Sequence, residues 1–201
     1  MALTLNGNTN TISGLAVGGL PDGIVDAGTL ATEAATGIKQ GNGSIIQVKQ
    51  AVNSVMSSES IGNGVWEDIS GLSVSITPTT DTNKILVFYK VAMASTKGQY
   101  TTFLRIVRDS TAVGIGDQTG STRKRATSSR PTGPTDWNDY EVMHHSNMFL
   151  DNPGTTSPTT YKMQWTDSYG QTFYLNRSIG DGDNIHYASQ ISQITVMEVV
   201  E

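Results

Sequence analysis

The sequence of 201 residues contains no cysteine. Disulfide bridges and thiolate catalysis are therefore excluded. No run approaches the ~18 apolar residues that a helix needs to cross a bilayer. The first residues, MALTLNGNTNT, lack the basic start and the apolar core of a secretory signal. We therefore expect a product made in the cytoplasm, without insertion into a membrane.

Charged residues are also scarce. They make up 15% of the chain, and the formal net charge is −5 at pH 7. A protein that wraps nucleic acid needs a positive surface, so we expect no nucleic-acid partner. Apolar residues reach 36%, which is low for a self-sufficient globular enzyme. Much of the remainder is Gly, Ser, Thr and Asn, which favours a protein built from strands and turns.

The N-terminal part of the chain has no aromatic residue, because the first one in the sequence is Trp66. Because aromatic and large aliphatic side chains supply most burial energy, residues 1–43 cannot build a core of their own. We predict an extended attachment and trimerisation segment over 1–43, buried against a partner or other copies of the chain, and a head domain over 44–201. A flexible tail is the alternative. The residues predicted to make the attachment are Ile12, Leu15, Val17, Leu20, Pro21, Ile24 and Val25.

One stretch, Lys84 to Ala94 (KILVFYKVAMA), predicts a long strand. Alternation places on one face Ile85, Val87, Tyr89, Val91 and Met93, and on the other Leu86, Phe88, Lys90 and Ala92. Both faces are largely apolar, whereas the wet side of an antiparallel strand is mostly polar. Either the strand lies between two layers, or another copy covers its second face. We predict the second arrangement, with Leu86 and Phe88 at a trimer interface and Lys90 at its rim or paired with a carboxylate.

Shorter runs of β-branched and aromatic residues predict the other strands. They lie at 45–56, 65–69, 72–76, 100–109, 112–115, 140–150, 161–166, 173–177, 185–188 and 194–200. The Lys97-Gly98 turn predicts a hairpin between the strands at 84–94 and 100–109. This number of strands, joined by turns and long crossovers, predicts an all-β protein with an antiparallel, jelly-roll-like sandwich.

Two adjacent histidines, His144 and His145, invite a metal site. Adjacent strand residues point to opposite faces, so both cannot bind one ion without a bulge. With no cysteine and only His186 elsewhere, we expect no zinc site. The stretch Asp181-Gly182-Asp183-Asn184 has the oxygen spacing of calcium loops but lacks their downstream bidentate Glu, so we interpret it as a turn.

The motifs of common enzymes are missing. Gly114, Gly116 and Gly120 have the wrong spacing for a dinucleotide fingerprint, and the sequence has no Walker motif and no Gly-x-Ser-x-Gly elbow. A glycosidase needs two carboxylates at a defined separation, and no pattern points to such a pair. The sequon Asn176-Arg177-Ser178 has little weight without a secretory signal. We predict no enzymatic activity and no cofactor.

The longest irregular stretch, 116–138, concentrates basic residues on a loop over a rigid sandwich. Arg and Trp side chains on such a loop suit recognition of anionic or carbohydrate surfaces. A solvated loop or a subunit contact is the alternative. The residues predicted to contact a receptor are Arg123, Lys124, Arg125, Arg130 and Trp137.

Several phrases resemble virion proteins of tailed bacteriophages. They are GLSVSITP at 71–78, NKILV at 83–87, LRIVRDST at 104–111, YLNRS at 174–178 and SQITVMEV at 192–199. The stretch ISGLAVGGLPDG at 12–23 is similar to the N-terminal segment of tail-fibre-like proteins. The loop at 116–138 lies outside the match. The resemblance implies a homotrimer with a thin N-terminal attachment segment and a C-terminal jelly-roll head.

On this resemblance we predict a virion protein that acts as a tail fibre or receptor-binding protein and attaches to the host through its head. A capsid decoration or head-fibre protein is the alternative. A polysaccharide-degrading tailspike is a weaker one, because the repetitive β-helix of such spikes is missing. The expected partners are other copies of the chain, other virion proteins through the N-terminal segment, and a host cell-surface polysaccharide or protein.

Overall fold

The protein is described by a computed structural model over residues 4–6, 11–13, 41–96, 100–131 and 139–201. The chain divides into two units, Met1–Gln40 and Gly41–Glu201. Within the described residues every regular element is a β-strand, and all strand pairs are antiparallel. The sheets of the second unit curl into a half-barrel. The predicted all-β, jelly-roll-like sandwich is confirmed.

In the first unit, β1 (Thr4–Asn6) pairs with β2 (Thr11–Ser13), and Leu5 lies opposite Ile12. The other residues predicted to make the attachment lie outside the described residues; they are Leu15, Val17, Leu20, Pro21, Ile24 and Val25. The attachment role of this segment stays a prediction.

The described part of the second unit contains eleven strands in two sheets. The larger sheet consists of β3 (Ile45–Asn53), β4 (Ser57–Ile61), β6 (Lys84–Ser95), β10 (Met143–Asp151), β12 (Gln171–Leu175) and β13 (Ser192–Val199). The smaller sheet consists of β5 (Glu67–Ile76), β7 (Thr101–Arg108), β8 (Thr111–Val113), β9 (Ser128–Pro131) and β11 (Thr159–Asp167). Their orders are β3-β13-β6-β12-β4, with β10 also on β6, and β5-β11-β7-β8, with β9 also on β7.

The strand predicted at 84–94 is β6, in the middle of the six-stranded sheet. One of its edges pairs with β10, and the other is shared by β13 and β12. Its inner face carries five fully buried side chains, as alternation predicted. They are Ile85, Val87, Tyr89, Val91 and Met93. The five-stranded sheet contributes five residues to the same core, namely Leu104, Ile106, Tyr161, Met163 and Trp165. This shared apolar layer holds the two sheets together.

The predicted hairpin between the strands at 84–94 and 100–109 is wrong. β6 belongs to the six-stranded sheet and β7 to the five-stranded sheet. A strand has only two hydrogen-bonding edges, and β6 uses both on β13, β10 and β12. The chain after β6 therefore crosses to the other layer, where β7 pairs with β11, β8 and β9.

The runs predicted at 65–69 and 72–76 form one strand, β5, instead of two. Gly71 lies inside it with φ +75°, and the pairing with β11 shifts register between Lys162 and Gln164. This irregularity is a bulge, where a glycine tolerates a positive φ that other residues avoid. A Cβ on Gly71 would lie 2.7 Å from the Asn53 amide nitrogen, so the glycine also lets β3 approach β5.

β9 (Ser128–Pro131) is a strand inside the stretch 116–138, which was predicted to be irregular. Two further elements differ from the prediction. The strand predicted at 185–188 is a turn followed by coil, and Ile185 is 94% exposed. Conversely, β4 (SSESI) has a single apolar residue, Ile61, and no alternation signal. It forms because β12 offers it a free edge. Backbone pairing, which a residue pattern does not encode, decides both cases.

Asp151 joins the two sheets through buried polar contacts. Its Oδ2 accepts hydrogen bonds from Tyr161 Oη on β11 at 2.6 Å and from Arg108 Nη1 on β7 at 2.7 Å. Burial, followed by the contact with Asp151, raises the pKa of Tyr161, so the phenol stays a hydrogen-bond donor at neutral pH. Removal of the carboxylate would leave a buried hydroxyl and a partly buried cation without their partner.

We expect Asp151→Ala to lower the free energy of unfolding by about 2–4 kcal/mol, the usual effect of removing one partner from a buried charged cluster. Urea unfolding at one protein concentration would measure it. Asp117→Ala removes the same groups from an exposed loop position and should change stability by less than ~0.5 kcal/mol. Equal losses of stability in both variants would contradict this role of the Asp151 hydrogen bonds.

Candidate interaction surfaces

The outer face of the six-stranded sheet carries an apolar row across four strands. Leu86 on β6 lies opposite Met197 on β13 and Leu150 on β10. Met197 in turn lies opposite Val48 on β3. Residues directly opposite in antiparallel strands share one face of the sheet. Three strand spacings of ~4.8 Å make this row about 14 Å wide.

A second row runs beside it. Phe88 lies between Met148 on β10 and Thr195 on β13, and Gln50 donates a hydrogen bond to Thr195 at 2.9 Å. The apolar members of the two rows, here called the apolar sheet face, are Val48, Leu86, Phe88, Met148, Leu150 and Met197. Val48 is 56% exposed, Met148 63% and Leu150 44%. Monomeric soluble proteins seldom expose a contiguous patch of large apolar side chains, which makes this face a candidate interaction surface.

Lys90 lies where the apolar sheet face ends. Its neighbours across the strands are Gln193 and Ser146, which form a third, polar row. Lys90 is half-buried, which suits a long side chain whose stem can cover apolar surface. The residue that interrupted the predicted apolar face therefore lies at its boundary.

The outer face of the five-stranded sheet is polar by contrast. Arg105 lies over the Trp66 ring at 4.1 Å and donates to Gln164 at 2.8 Å. Gln164 and Lys162 donate to the two oxygens of Asp68, at 2.6 and 2.7 Å. Burial raises the pKa of Asp68, but these two hydrogen bonds outweigh it and hold the pKa below its ordinary value. Of these two outer faces, only that of the six-stranded sheet carries a patch of neighbouring apolar side chains.

The basic loop has a mixed arrangement. Lys124 Nζ donates to the Gly64 carbonyl at 3.1 Å, and Arg125 Nε donates to the Gly116 carbonyl at 2.7 Å. These two cations therefore hold the loop in place. Arg123 is exposed beside them and lines the same shallow depression. Of the five predicted receptor contacts, Arg123 is the most available for a ligand within the described residues.

Another predicted receptor contact, Arg130, does not line this depression. Arg130 is on β9 and forms an exposed ion pair with Glu141 at 3.8 Å. Trp137 lies outside the described residues. The structure thus brings Arg123, Lys124 and Arg125 together and does not bring Arg130 to them.

The two adjacent histidines point to opposite faces, as predicted. His144 is exposed, whereas His145 is buried between the sheets. The His145 ring nitrogens lie 3.3 Å from Ser128 Oγ and 3.5 Å from Thr102 Oγ1. Burial, with smaller contributions from Arg130 and His144, lowers the pKa of His145 to about 4. Among the described residues no group of three His, Cys, Asp or Glu side chains could hold a metal ion.

The segment between β12 and β13 contains a cleft that the sequence did not predict. The cleft is lined by loop residues 177–189 together with Met56. The Asp181–Asn184 stretch, interpreted from sequence as a simple turn, lies in its wall. A cluster of Asp, Asn and Gly beside aromatic residues was the available signal. Asn176 of the sequon is fully buried, so the folded protein offers no amide for glycosylation.

Comparisons with known proteins do not assign this chain to a family. No protein-family model matches the chain, and no curated protein matches it. Similar chains occur in structures of infectious bursal disease virus, the Gx strain (14% identity, TM-score 0.38) and the Gt strain (15% identity, TM-score 0.39). These alignments cover 77% and 90% of this chain but 40% and 43% of the viral chains. The chain thus spans about two fifths of their length, and the likeness assigns no function.

No helix in the described part of the chain is long and apolar enough to cross a membrane.

The buried His145 predicts a pH dependence of stability. Its pKa in the folded protein, about 4, lies below the ordinary value of ~6.5, so between these values the unfolded chain binds the proton more readily. We expect stability to fall as the pH is lowered from about 6.5 to about 4, by at most ~3 kcal/mol. Urea unfolding across this pH range would measure the slope.

A non-titrating His145→Gln variant should flatten the slope between about pH 6.5 and pH 5, where buried carboxylates still carry their charge. His186→Gln changes an exposed histidine and should leave it unchanged. The origin of the slope would lie elsewhere if His145→Gln kept the pH dependence of the natural protein.

Proposed function

We propose that this chain is a homotrimeric virion structural protein of a tailed bacteriophage, acting as a tail fibre or receptor-binding protein. The observation that carries the proposal is the apolar sheet face. It supports self-association, because three of its six apolar side chains are exposed and the other three are half-buried, on a unit that already has an inner core. The sequence segments that resemble phage virion proteins support a location on a phage virion.

Self-association explains the apolar sheet face better than a flexible lid from the same chain. The face spans four neighbouring strands and ends at a polar row, as the patch of a subunit interface does. An interface between identical copies requires no second gene product. Residues 1–43, which have no aromatic side chain, would gain their partners from the same threefold arrangement.

The proposed mechanism is multivalent adhesion. Each head presents its loops at the ends of a rigid sandwich, and three heads in one trimer repeat the same weak contact. Linked sites raise the effective concentration of the second and third contacts, so avidity exceeds the affinity of one head. Partners on the virion would bind the N-terminal segment, and a host surface molecule would bind the head. The proposal includes no enzymatic activity.

A capsid decoration or head-fibre protein is the second candidate. The same apolar sheet face and the same trimer would then clamp neighbouring capsid subunits. Immunogold labelling of intact particles distinguishes the two, since label on the tail supports the first candidate and label on the capsid supports the second.

We expect Met148→Asp and Phe88→Asp to convert the trimer to monomers. Each would bring three carboxylates into an apolar contact and should weaken association at least about a hundredfold, or ~3 kcal/mol. Sedimentation velocity would measure the species. Met148 is 63% exposed in the single chain, so its replacement leaves the fold intact. Ser73→Asp, on the outer face of the other sheet, is the control and should stay trimeric.

The proposed interface would be refuted by a monomeric natural protein, or by a trimer that persists in both Met148→Asp and Phe88→Asp.

Host attachment is tested by binding of the labelled protein to host cells. We expect Arg123→Ser with Arg130→Ser to reduce binding severalfold at low salt, because exposed cations attract an anionic surface over about one Debye length. The pair Lys49→Ser with Lys84→Ser removes the same charge from elsewhere on the unit and should bind normally. Absence of binding by the natural protein would favour the decoration role.

A further inference from the structure

The cleft at residues 177–189 is held by a rigid base. Asn176 has a φ of +62° and is fully buried. Its side-chain nitrogen donates to the carbonyls of Asn53 at 2.9 Å and Val55 at 3.0 Å, and its side-chain oxygen accepts from Ser192 at 2.6 Å. The backbone of Gly180 donates to the Asp139 carbonyl at 3.0 Å. The loop is therefore fixed to the sandwich before any ligand arrives.

One wall of the cleft is aromatic. The Tyr187 ring packs against Gly180 and Gly182, and a Cβ at Gly182 would lie 2.7 Å from its Cε2. Only glycines leave room for this ring. Tyr140, which is 50% exposed, lies 5.0 Å from Tyr187 between ring centroids. Met56, also partly exposed, adds an apolar edge.

A second, polar part of the wall carries a net negative charge. Arg177 is occupied: it pairs with Asp181 at 3.2 Å and lies over the Tyr174 ring at 4.6 Å. Asp181 nevertheless stays 61% exposed, and Asp183 and Asn184 are exposed beside it. The wall thus offers carboxylate and amide groups to hydroxyl donors, and its excess of carboxylates repels anions.

An aromatic ring beside carboxylates and an amide in one cleft matches the chemistry of a sugar ring, which has an apolar C–H face and a rim of hydroxyls. The cleft volume of about 270 Å³ lies close to the ~300 Å³ lower end of small-molecule sites. That size suits one sugar unit. We propose that this cleft binds a single neutral or amino-substituted hexose unit of a cell-surface polysaccharide.

This proposal rests on the host-attachment function and gives it a site different from the basic loop. The basic loop favours anionic surfaces, whereas the cleft excludes acidic sugars. The two sites therefore predict different salt dependences: binding of a neutral sugar at the cleft changes little with ionic strength, and binding at the basic loop weakens with it.

Saturation-transfer NMR on the full chain would test the cleft with methyl glycosides of neutral hexoses, hexosamines and a hexuronic acid. We expect binding of at least one neutral or amino sugar and none of the uronic acid. Tyr187→Leu and Asp183→Asn should each weaken binding about tenfold, the loss of one stacking or charge-assisted contact. Tyr187→Phe keeps the ring and should bind within about threefold of the natural protein. Arg123→Ser should bind normally.

The proposal is overturned if no neutral or amino sugar binds, if the uronic acid binds best, or if Tyr187→Leu and Asp183→Asn both bind normally. Cell binding by the same variants separates this site from the wider function. Adhesion that survives Tyr187→Leu and Asp183→Asn would overturn the cleft but leave host attachment standing. Sugar binding without any adhesion of the natural protein would retain the cleft and reject host attachment.

Discussion

The packing of β6 against the five-stranded sheet is the interaction on which the rest of the structure depends. Five fully buried side chains of β6 meet the inward residues of β7 and β11, and both edges of β6 are hydrogen-bonded. Burial of one such aliphatic side chain contributes roughly 1.5–3 kcal/mol. The six-stranded sheet is arranged around this strand, and its position forces the following chain to cross to the other layer.

The outer side of the same strand links the fold to the proposed trimer. Leu86 and Phe88 continue the apolar rows of β10 and β13, so the exposed patch is a direct consequence of the register that builds the core. A one-residue slip would exchange the two faces of β6. In the proposed trimer β6 would have an apolar layer on each side, which accounts for a strand with two apolar faces.

Buried polar residues fix the ends of the sandwich. Glu198 Oε1 accepts from the Thr79 backbone and hydroxyl, at 2.6 and 2.7 Å, and from Asn83 at 2.8 Å. Burial raises the pKa of Glu198, but these hydrogen bonds hold it below its ordinary value. Buried hydrogen bonds of Asn176 hold the loop at 177–189, and those of Asp151 join the two sheets. Loops held by satisfied buried groups are suited to present binding residues.

The sequence by itself determined the fold class, the alternation of β6 and the opposite directions of His144 and His145, because these depend on local periodicity. It also located the apolar outer residues Leu86 and Phe88. The partners of each strand, the bulge at Gly71 and the strand β4 were decided only by the tertiary structure, since pairing depends on which edges other strands leave free. The cleft at 177–189 likewise exists only because Asn176 and Asn53, distant in sequence, meet in the fold.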